Sequence, residues 1–244
     1  MVEALYEKNG LSIMRKTLRL INKDNYMQQL KQEKMKNFIK IKYITLSELA
    51  GKCNVDELDI CKLETAQCIP RPSYEVRTID MFSSLVAEDH IASTRVRYYH
   101  PSIINLTKEA LALSEFHELT AINQQLKVNF RLQLEEEFKG IKTPGCQNFD
   151  QAWSYWVDGT WGICLKELTV ECMAKKELSR LAITNLMKYE PDTISEDNKI
   201  KLTDAINVYL SASMDFPVYG IRHILPQKAI EKFQLEISLG EHLL

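Results

Sequence analysis

The chain has 244 residues and a mass of 28.3 kDa, and 45% of its residues are hydrophobic and 26% charged. This composition predicts a globular protein with a sizeable core in one large domain, with at most a small N-terminal module. A net charge of -2 argues against general nucleic-acid binding, so DNA is not an expected partner. No apolar run approaches the roughly 20 residues that cross a bilayer, and the N-terminus lacks a secretory pattern, so we expect a cytoplasmic protein without a transmembrane segment.

Glycine and proline are scarce, with eight and seven residues respectively, which favours long helices over a turn-rich sandwich or barrel. The predicted fold class is mainly α: a helical bundle with an N-terminal helix-turn-helix-like unit and few or no short strands. The six cysteines and five histidines lack the spacings of zinc ligands, so we expect no metal and no cofactor, and buried, reduced thiols. The signatures of dinucleotide folds, P-loops, hydrolase elbows and zincins are also missing.

Residues 1–42 are predicted to form a basic amphipathic segment. Between Leu11 and Lys42 the chain has nine basic and two acidic side chains, a net charge of +7. Apolar residues recur there at intervals of three and four, which places them on one stripe of a helix. Such a helix either binds an anionic membrane or an acidic partner, or packs on the protein body by its apolar stripe.

Residues 43–76 have the pattern of two short helices joined by a tight turn. Thr45 and Glu48 have the spacing of a capping box at the start of the first helix. Asn54 or Asp56 caps the second helix, and two prolines follow it. The segment is therefore predicted to be a helix-turn-helix-like unit.

The second helix of this unit is poorly suited to reading DNA. A recognition helix needs basic and polar side chains to reach phosphates and base edges. Here Lys62 stands against four acidic residues, Asp56, Glu57, Asp59 and Glu64. Packing or partner docking is the alternative to DNA recognition, and basic residues from the preceding segment are the one feature that would support DNA contact.

Residues 77–244 are predicted to form a helical body with a tryptophan-rich junction at residues 151–169. Cap residues and apolar periodicity predict helices from Thr107 toward Lys139, from Thr169 to Tyr189, from Ser195 to Ser213, and from Pro226 onward. Short strands are possible at residues 74–80 and 94–99.

The junction contains all three tryptophans, and Asp158-Gly159 predicts a turn within it. The aromatic residues around this turn are Trp153, Tyr155, Trp156 and Trp161. They form either an aromatic-walled cleft with Cys164 and Lys166 on its floor, or a packed corner between helices. Cys164 would be a nucleophile only if a base lay beside it, and no local motif supplies a histidine.

Two blocks, Pro70-Arg71-Pro72-Ser73-Tyr74 and Gly159 through Lys166, lie in a stretch of roughly residues 43 to 235 that resembles an uncharacterised bacterial family. That family carries a domain of unknown function and is often labelled as natural-product biosynthesis proteins. The resemblance implies an accessory or tailoring role beside a secondary-metabolite pathway, with a small molecule or a carrier protein as partner. It transfers no catalytic residues.

Five residues of these blocks and the neighbouring Asp158 are the candidate ligand-binding set: Arg71, Tyr74, Asp158, Trp161, Cys164 and Lys166. The leading hypothesis is binding of a small molecule or a carrier-linked intermediate beside the Gly159 turn. The alternatives are a helix-turn-helix transcription regulator and an interaction module that uses the basic N-terminal helix.

Overall fold

The computed structural model describes residues 30–84, 87–139, 149–215 and 224–237. The chain divides into two compact units, Met1–Ile41 and Lys42–Leu244. In the first unit the described residues are helical, and this helix, α1, covers residues 30–42. Residues 1–29, most of the predicted basic segment, lie outside the described residues.

The second unit is mainly helical, which confirms the predicted fold class. Its elements, in chain order, are β1 (Ile44–Thr45), α2 (Leu46–Cys53), α3 (Glu57–Thr65), β2 (Tyr74–Ser84), β3 (Ala87–Tyr99), α4 (Ile103–Ser114), α5 (Leu119–Glu137), α6 (Phe149–Val157), α7 (Thr160–Cys164), α8 (Val170–Leu186), α9 (Glu196–Ser211) and α10 (Ile224–Phe233). In the described part of the chain, no helix is both long and apolar enough to cross a membrane.

The three strands form one small antiparallel sheet in the order β1-β3-β2. β2 and β3 have 11 and 13 residues, so they are longer than the short strands expected from composition. The reason is that the two strands pair with each other from Tyr74 opposite Tyr98 to Ser84 opposite Ala87, and this pairing also supplies backbone hydrogen bonds to residues of low strand propensity such as Asp80 and Ala92. Ile44 pairs with Tyr99 and joins the sheet to the helices.

Helix starts follow the predicted caps in several places. The hydroxyl of Thr45 accepts a hydrogen bond from the backbone N–H of Glu48, and the Glu48 carboxylate accepts one from the backbone N–H of Thr45, which completes the capping box. Thr169 and Ser195 cap α8 and α9 with their hydroxyls. Asp56 is the N-cap residue of α3, although its side chain makes no capping hydrogen bond.

The single long helix expected from Thr107 is wrong. Thr107 is buried inside α4, and the chain breaks between α4 and α5 before the second helix begins at Leu119. The break allows Ala110 on α4 and Ile122 on α5 to pack in the same core. One continuous amphipathic stripe fits a straight helix and a bent pair equally well, so periodicity did not reveal the break.

Among the described residues of the second unit, three apolar clusters hold the helices together. One joins α2, α3 and α4 to Tyr99 and to the start of α5. A second joins α5, α6 and α8 and contains the tryptophans, and a third joins α8, α9 and α10. Because α5 and α8 each take part in two clusters, they fix α6 and α7 between the other helices.

Candidate functional site

The block at residues 70–74 packs directly against the turn between α6 and α7. The backbone N–H of Arg71 donates a hydrogen bond to the carbonyl of Val157 (2.9 Å). Gly159 has a φ of 81°, and a Cβ atom added there would lie 2.5 Å from the carbonyl oxygen of Arg71 and 2.9 Å from that of Pro72. Only glycine satisfies both the left-handed backbone and this close approach.

The contact continues along α7. A Cβ atom on Gly162 would collide with the hydroxyl of Ser73. The carbonyl of Gly162 accepts a hydrogen bond from the phenol of Tyr43 (3.1 Å), whose ring packs edge-on against Tyr74 at 4.9 Å between centroids. The two blocks that carry the sequence resemblance are therefore in direct contact, although they are far apart in the chain.

The Asp158-Gly159 turn, which the sequence predicted, is confirmed. Oδ1 of Asp158 accepts a hydrogen bond from the backbone N–H of Thr160 (2.9 Å), which is the local bond expected of an aspartate in a turn. This bond fixes the start of α7 and leaves the other carboxylate oxygen facing outward.

An apolar pocket of about 180 Å³ lies beside the contact between these two blocks. Trp153 and Trp156 are three residues apart on α6, so they point to the same side. Both rings contact Phe130 on α5, with centroid distances of 5.4 and 5.1 Å. Leu168 and Val170 complete the apolar lining.

The rim of the pocket is polar. Gln67, Asn129 and Gln133 contribute side-chain amides, and Glu109 contributes a carboxylate. Asn129 is half-buried and the other three are exposed. An apolar interior with a few hydrogen-bonding groups at its mouth is the usual composition of a small-molecule site.

This pocket differs from the predicted aromatic cleft, which had Cys164 and Lys166 on its floor. Trp153 and Trp156 line it, whereas Tyr155 points to solvent and Cys164 and Lys166 do not contribute to its lining. Its far wall is α5, which contributes Phe130.

A second, polar cleft of about 360 Å³ brings Arg71 and Asp158 together. Glu64, Glu75 and Arg95 also line it. The other four candidate residues, Tyr74, Trp161, Cys164 and Lys166, do not line this cleft.

Tyr74 and Trp161 have packing roles. Tyr74 is half-buried against Tyr43. Trp161 covers the tryptophan-containing cluster, and its indole N–H donates to the carbonyl of Ala152 (3.3 Å). Neither ring lines the apolar pocket.

Cys164 and Lys166 face different surroundings. Cys164 is buried, and its thiol contacts the carbonyl of Trp161 within its own helix (3.6 Å). The backbone carbonyl of Cys164 accepts a hydrogen bond from the buried ammonium of Lys176 (2.5 Å), a cation at the C-terminal end of α7. Lys166 is exposed and lines a separate cleft with Cys172.

His100 is buried beneath the contact between the two blocks. Its Nδ1 accepts a hydrogen bond from the backbone N–H of Ser102 (3.1 Å), so the neutral ring carries its proton on Nε2. Nε2 makes no hydrogen bond of normal geometry. The nearby backbone of Leu165 and Lys166 raises the pKa of His100. Burial is the larger effect, and it lowers the pKa of His100.

The lowered pKa predicts acid sensitivity. Unfolding returns the pKa of His100 to its ordinary value, so the unfolded chain binds the proton more readily than the folded chain. The free energy of unfolding therefore decreases as the pH falls below about 6.5. His100→Asn keeps an acceptor for Ser102 and removes the titration. Urea unfolding between about pH 7 and pH 5 should show a smaller loss of stability in the variant than in the wild type. Equal losses would show that His100 does not titrate in this way.

The surface of α3 is acidic. Glu57 is exposed, and Lys62 forms its ion pair with Asp59 of the same helix (2.8 Å).

In the described residues, no group of three histidine, cysteine or acidic side chains is arranged to hold a metal ion.

Comparison with known proteins assigns a family to this architecture. Neither curated proteins nor solved structures provide a significant match. A family model described as a family of unknown function (DUF6058) matches residues 107–238, which include α6, α7 and the lining residues from α5 and α8. Since this match spans more than half of the sequence, the chain belongs to the DUF6058 family of unknown function.

Proposed function

We propose that this protein binds a small, largely apolar molecule in the pocket between α5 and α6. The observation that supports this most strongly is the pocket itself, with Phe130, Trp153 and Trp156 inside and side-chain amides at its mouth. Protein interiors are filled to the density of organic crystals, so an apolar space of this size beside buried rings is room that a ligand can occupy.

The volume limits the ligand. An engineered apolar cavity of about 150 Å³ holds benzene, and the pocket at about 180 Å³ is similar. It is smaller than the sites that enclose drug-sized molecules, which begin at roughly 300 Å³. A single ring or a short acyl chain therefore fits inside, and any larger ligand must extend through the mouth.

The rim supports a ligand whose outer part is polar and carries amide groups. Gln133 has one acceptor and two donors in its side-chain amide, and Asn129 has two donors, because Oδ1 of Asn129 accepts a hydrogen bond from the side-chain amide of Gln125 (2.9 Å). A pantetheine arm, which carries two amides, would place them there while its acyl group enters the pocket. The intermediate that we propose is a short acyl group linked to a carrier, as the sequence resemblance to natural-product biosynthesis proteins implies.

The role that follows is an accessory or tailoring function in secondary-metabolite biosynthesis. The pocket supports recognition of such an intermediate, and we propose no chemical step. The acidic surface of α3 gives no support to DNA reading, and the N-terminal docking hypothesis depends on residues that lie largely outside the described part of the chain.

Asn129→Trp tests this proposal by placing an indole at the mouth from a half-buried position. The matched control is Val128→Trp, which adds the same ring one residue away, where the side chain is 52% exposed. Calorimetric titration with butyryl-pantetheine should show at least about tenfold weaker binding for Asn129→Trp, about 1.4 kcal/mol, and unchanged binding for Val128→Trp.

Unmodified pantetheine serves as the second probe, because it has the amides and lacks the acyl group. We expect it to bind more weakly than butyryl-pantetheine to the wild type. The proposal fails if the wild type binds neither compound, or if the two tryptophan variants are affected equally.

A further inference from the structure

We propose that the polar cleft is a second binding site, and that it takes a zwitterion with the charges of a free α-amino acid. The cleft lies between the C-terminal half of α3, the Arg71-Pro72 segment, the base of the β2–β3 hairpin and the Asp158 turn. Its walls are mostly polar, in contrast to the tryptophan-lined pocket on the other side of residues 67–72.

Most charged groups of the cleft already have partners. Two guanidinium nitrogens of Arg95 bind the carboxylate of Glu75, with 2.9 Å between Nε and Oε2. Oε2 of Glu64 accepts from the guanidinium of Arg97 and from the phenol of Tyr99, both at 3.0 Å. Burial and then the Glu64 charge raise the pKa of Tyr99, which keeps that phenol protonated as a donor.

Arg71 is different. Within the described part of the chain, no hydrogen bond or ion pair engages its guanidinium. The main chain at Arg71 is nevertheless fixed, because its N–H is bonded to Val157 and its carbonyl lies against Gly159. A planar guanidinium on a fixed backbone is suited to binding a carboxylate through two hydrogen bonds.

The opposite charge is available in the same cleft. Asp158 uses Oδ1 for the turn and leaves Oδ2 without such a constraint, and Oε1 of Glu64 takes no part in the hydrogen bonds from Arg97 and Tyr99. Either oxygen would accept hydrogen bonds from an ammonium group. The cleft therefore offers a ligand one guanidinium, that of Arg71, and carboxylate oxygens of Asp158 and Glu64.

The arrangement of the charges favours a ligand with both signs. Three carboxylates line the cleft, those of Glu64, Glu75 and Asp158, together with the guanidiniums of Arg71 and Arg95. A phosphate would bind Arg71 but would be repelled by the carboxylates, and a simple amine would leave the guanidinium of Arg71 without a partner. A molecule that carries both charges satisfies both sets of groups.

This proposal does not depend on the apolar pocket. The two sites share no lining residue, so each can fail alone. Asn129→Trp should leave amino-acid binding unchanged, and Arg71→Gln should leave butyryl-pantetheine binding unchanged.

The test is a titration of the ¹⁵N-labelled full-length chain with each of the twenty standard amino acids, followed through the backbone amides of Thr65, Asp158 and Thr160. For an amino acid that gives saturable shifts, its N-acetyl and its amide derivatives remove one charge each. We expect both derivatives to lose the shifts, and inorganic phosphate to cause none. Saturation by phosphate alone would mean an anion site and would overturn the proposal, as would the lack of saturation by every amino acid.

Two variants assign the charges to residues. Arg71→Gln should weaken binding by about 30-fold, in line with the loss of a charge-assisted bidentate contact. Asp158→Asn keeps an oxygen for the Thr160 N–H and removes only the charge, so the fold should persist while binding weakens by about fivefold. Lys188→Gln, which removes an exposed cation bonded to Asn185, should have no effect. Equal weakening by all three variants would indicate a general charge effect and contradict the proposal.

Discussion

Replacing Gly159 by alanine is expected to destabilise the protein by about 3 kcal/mol, since a left-handed non-glycine residue costs about 1–2 kcal/mol and displacement of packed atoms costs a further 1–3 kcal/mol. The backbone of Gly159 has a φ of 81°, and the new methyl group would lie 2.5 Å from the carbonyl oxygen of Arg71. Rotation of a side chain cannot relieve this contact, because the obstructing atoms belong to the main chain. For a domain of this size the melting temperature should fall by about 8 °C.

Gly51 provides the matched control. It lies in α2, and a Cβ atom added there has no neighbour within 4 Å. Gly51→Ala should therefore stabilise the protein by about 0.5–1 kcal/mol through improved helix propensity. Equal melting temperatures for Gly159→Ala and the wild type would contradict the close contact between the turn and the Arg71 segment.

The second large effect is expected for Phe130→Ala. Phe130 is 4% exposed, and its ring contacts Trp153, Trp156 and Phe149 at centroid distances of 5.1 to 6.1 Å. Removal of a buried phenylalanine side chain typically costs about 3–5 kcal/mol, because transfer free energy is lost and a cavity remains. Urea unfolding monitored by tryptophan fluorescence measures this loss directly.

Leu132→Ala is the control on the same helix. Leu132 is 60% exposed, so its truncation should change the free energy of unfolding by no more than about 0.5 kcal/mol. A loss at Phe130 as small as that at Leu132 would show that α5 does not pack on the tryptophans as described.

Local signals in the sequence predicted much of the fold. The Thr45 and Glu48 capping box, the Thr169 and Ser195 caps and the Asp158-Gly159 turn all depend on residues within three positions of one another. Such interactions can be identified from spacing alone. The break between α4 and α5 could not, because it depends on how two apolar faces share one core.

The candidate site was predictable only in part. Sequence reasoning selected the tryptophan-rich segment, but the partner of Trp156 is Phe130, which lies on another helix. Likewise, Arg71 and Asp158 meet because Gly159 permits the approach of two distant backbones. Such long-range contacts follow from topology, and one sequence contains no local signal for them.

The three indole N–H resonances report whether the pocket between α5 and α6 admits a ligand. Trp153 and Trp156 line the pocket, whereas Trp161 lies outside it with its N–H bonded to Ala152, so it is an internal control. On titration with butyryl-pantetheine, we expect saturable shifts for Trp153 and Trp156 and none for Trp161. Three unchanged resonances, or a shift of Trp161 alone, would contradict binding in this pocket.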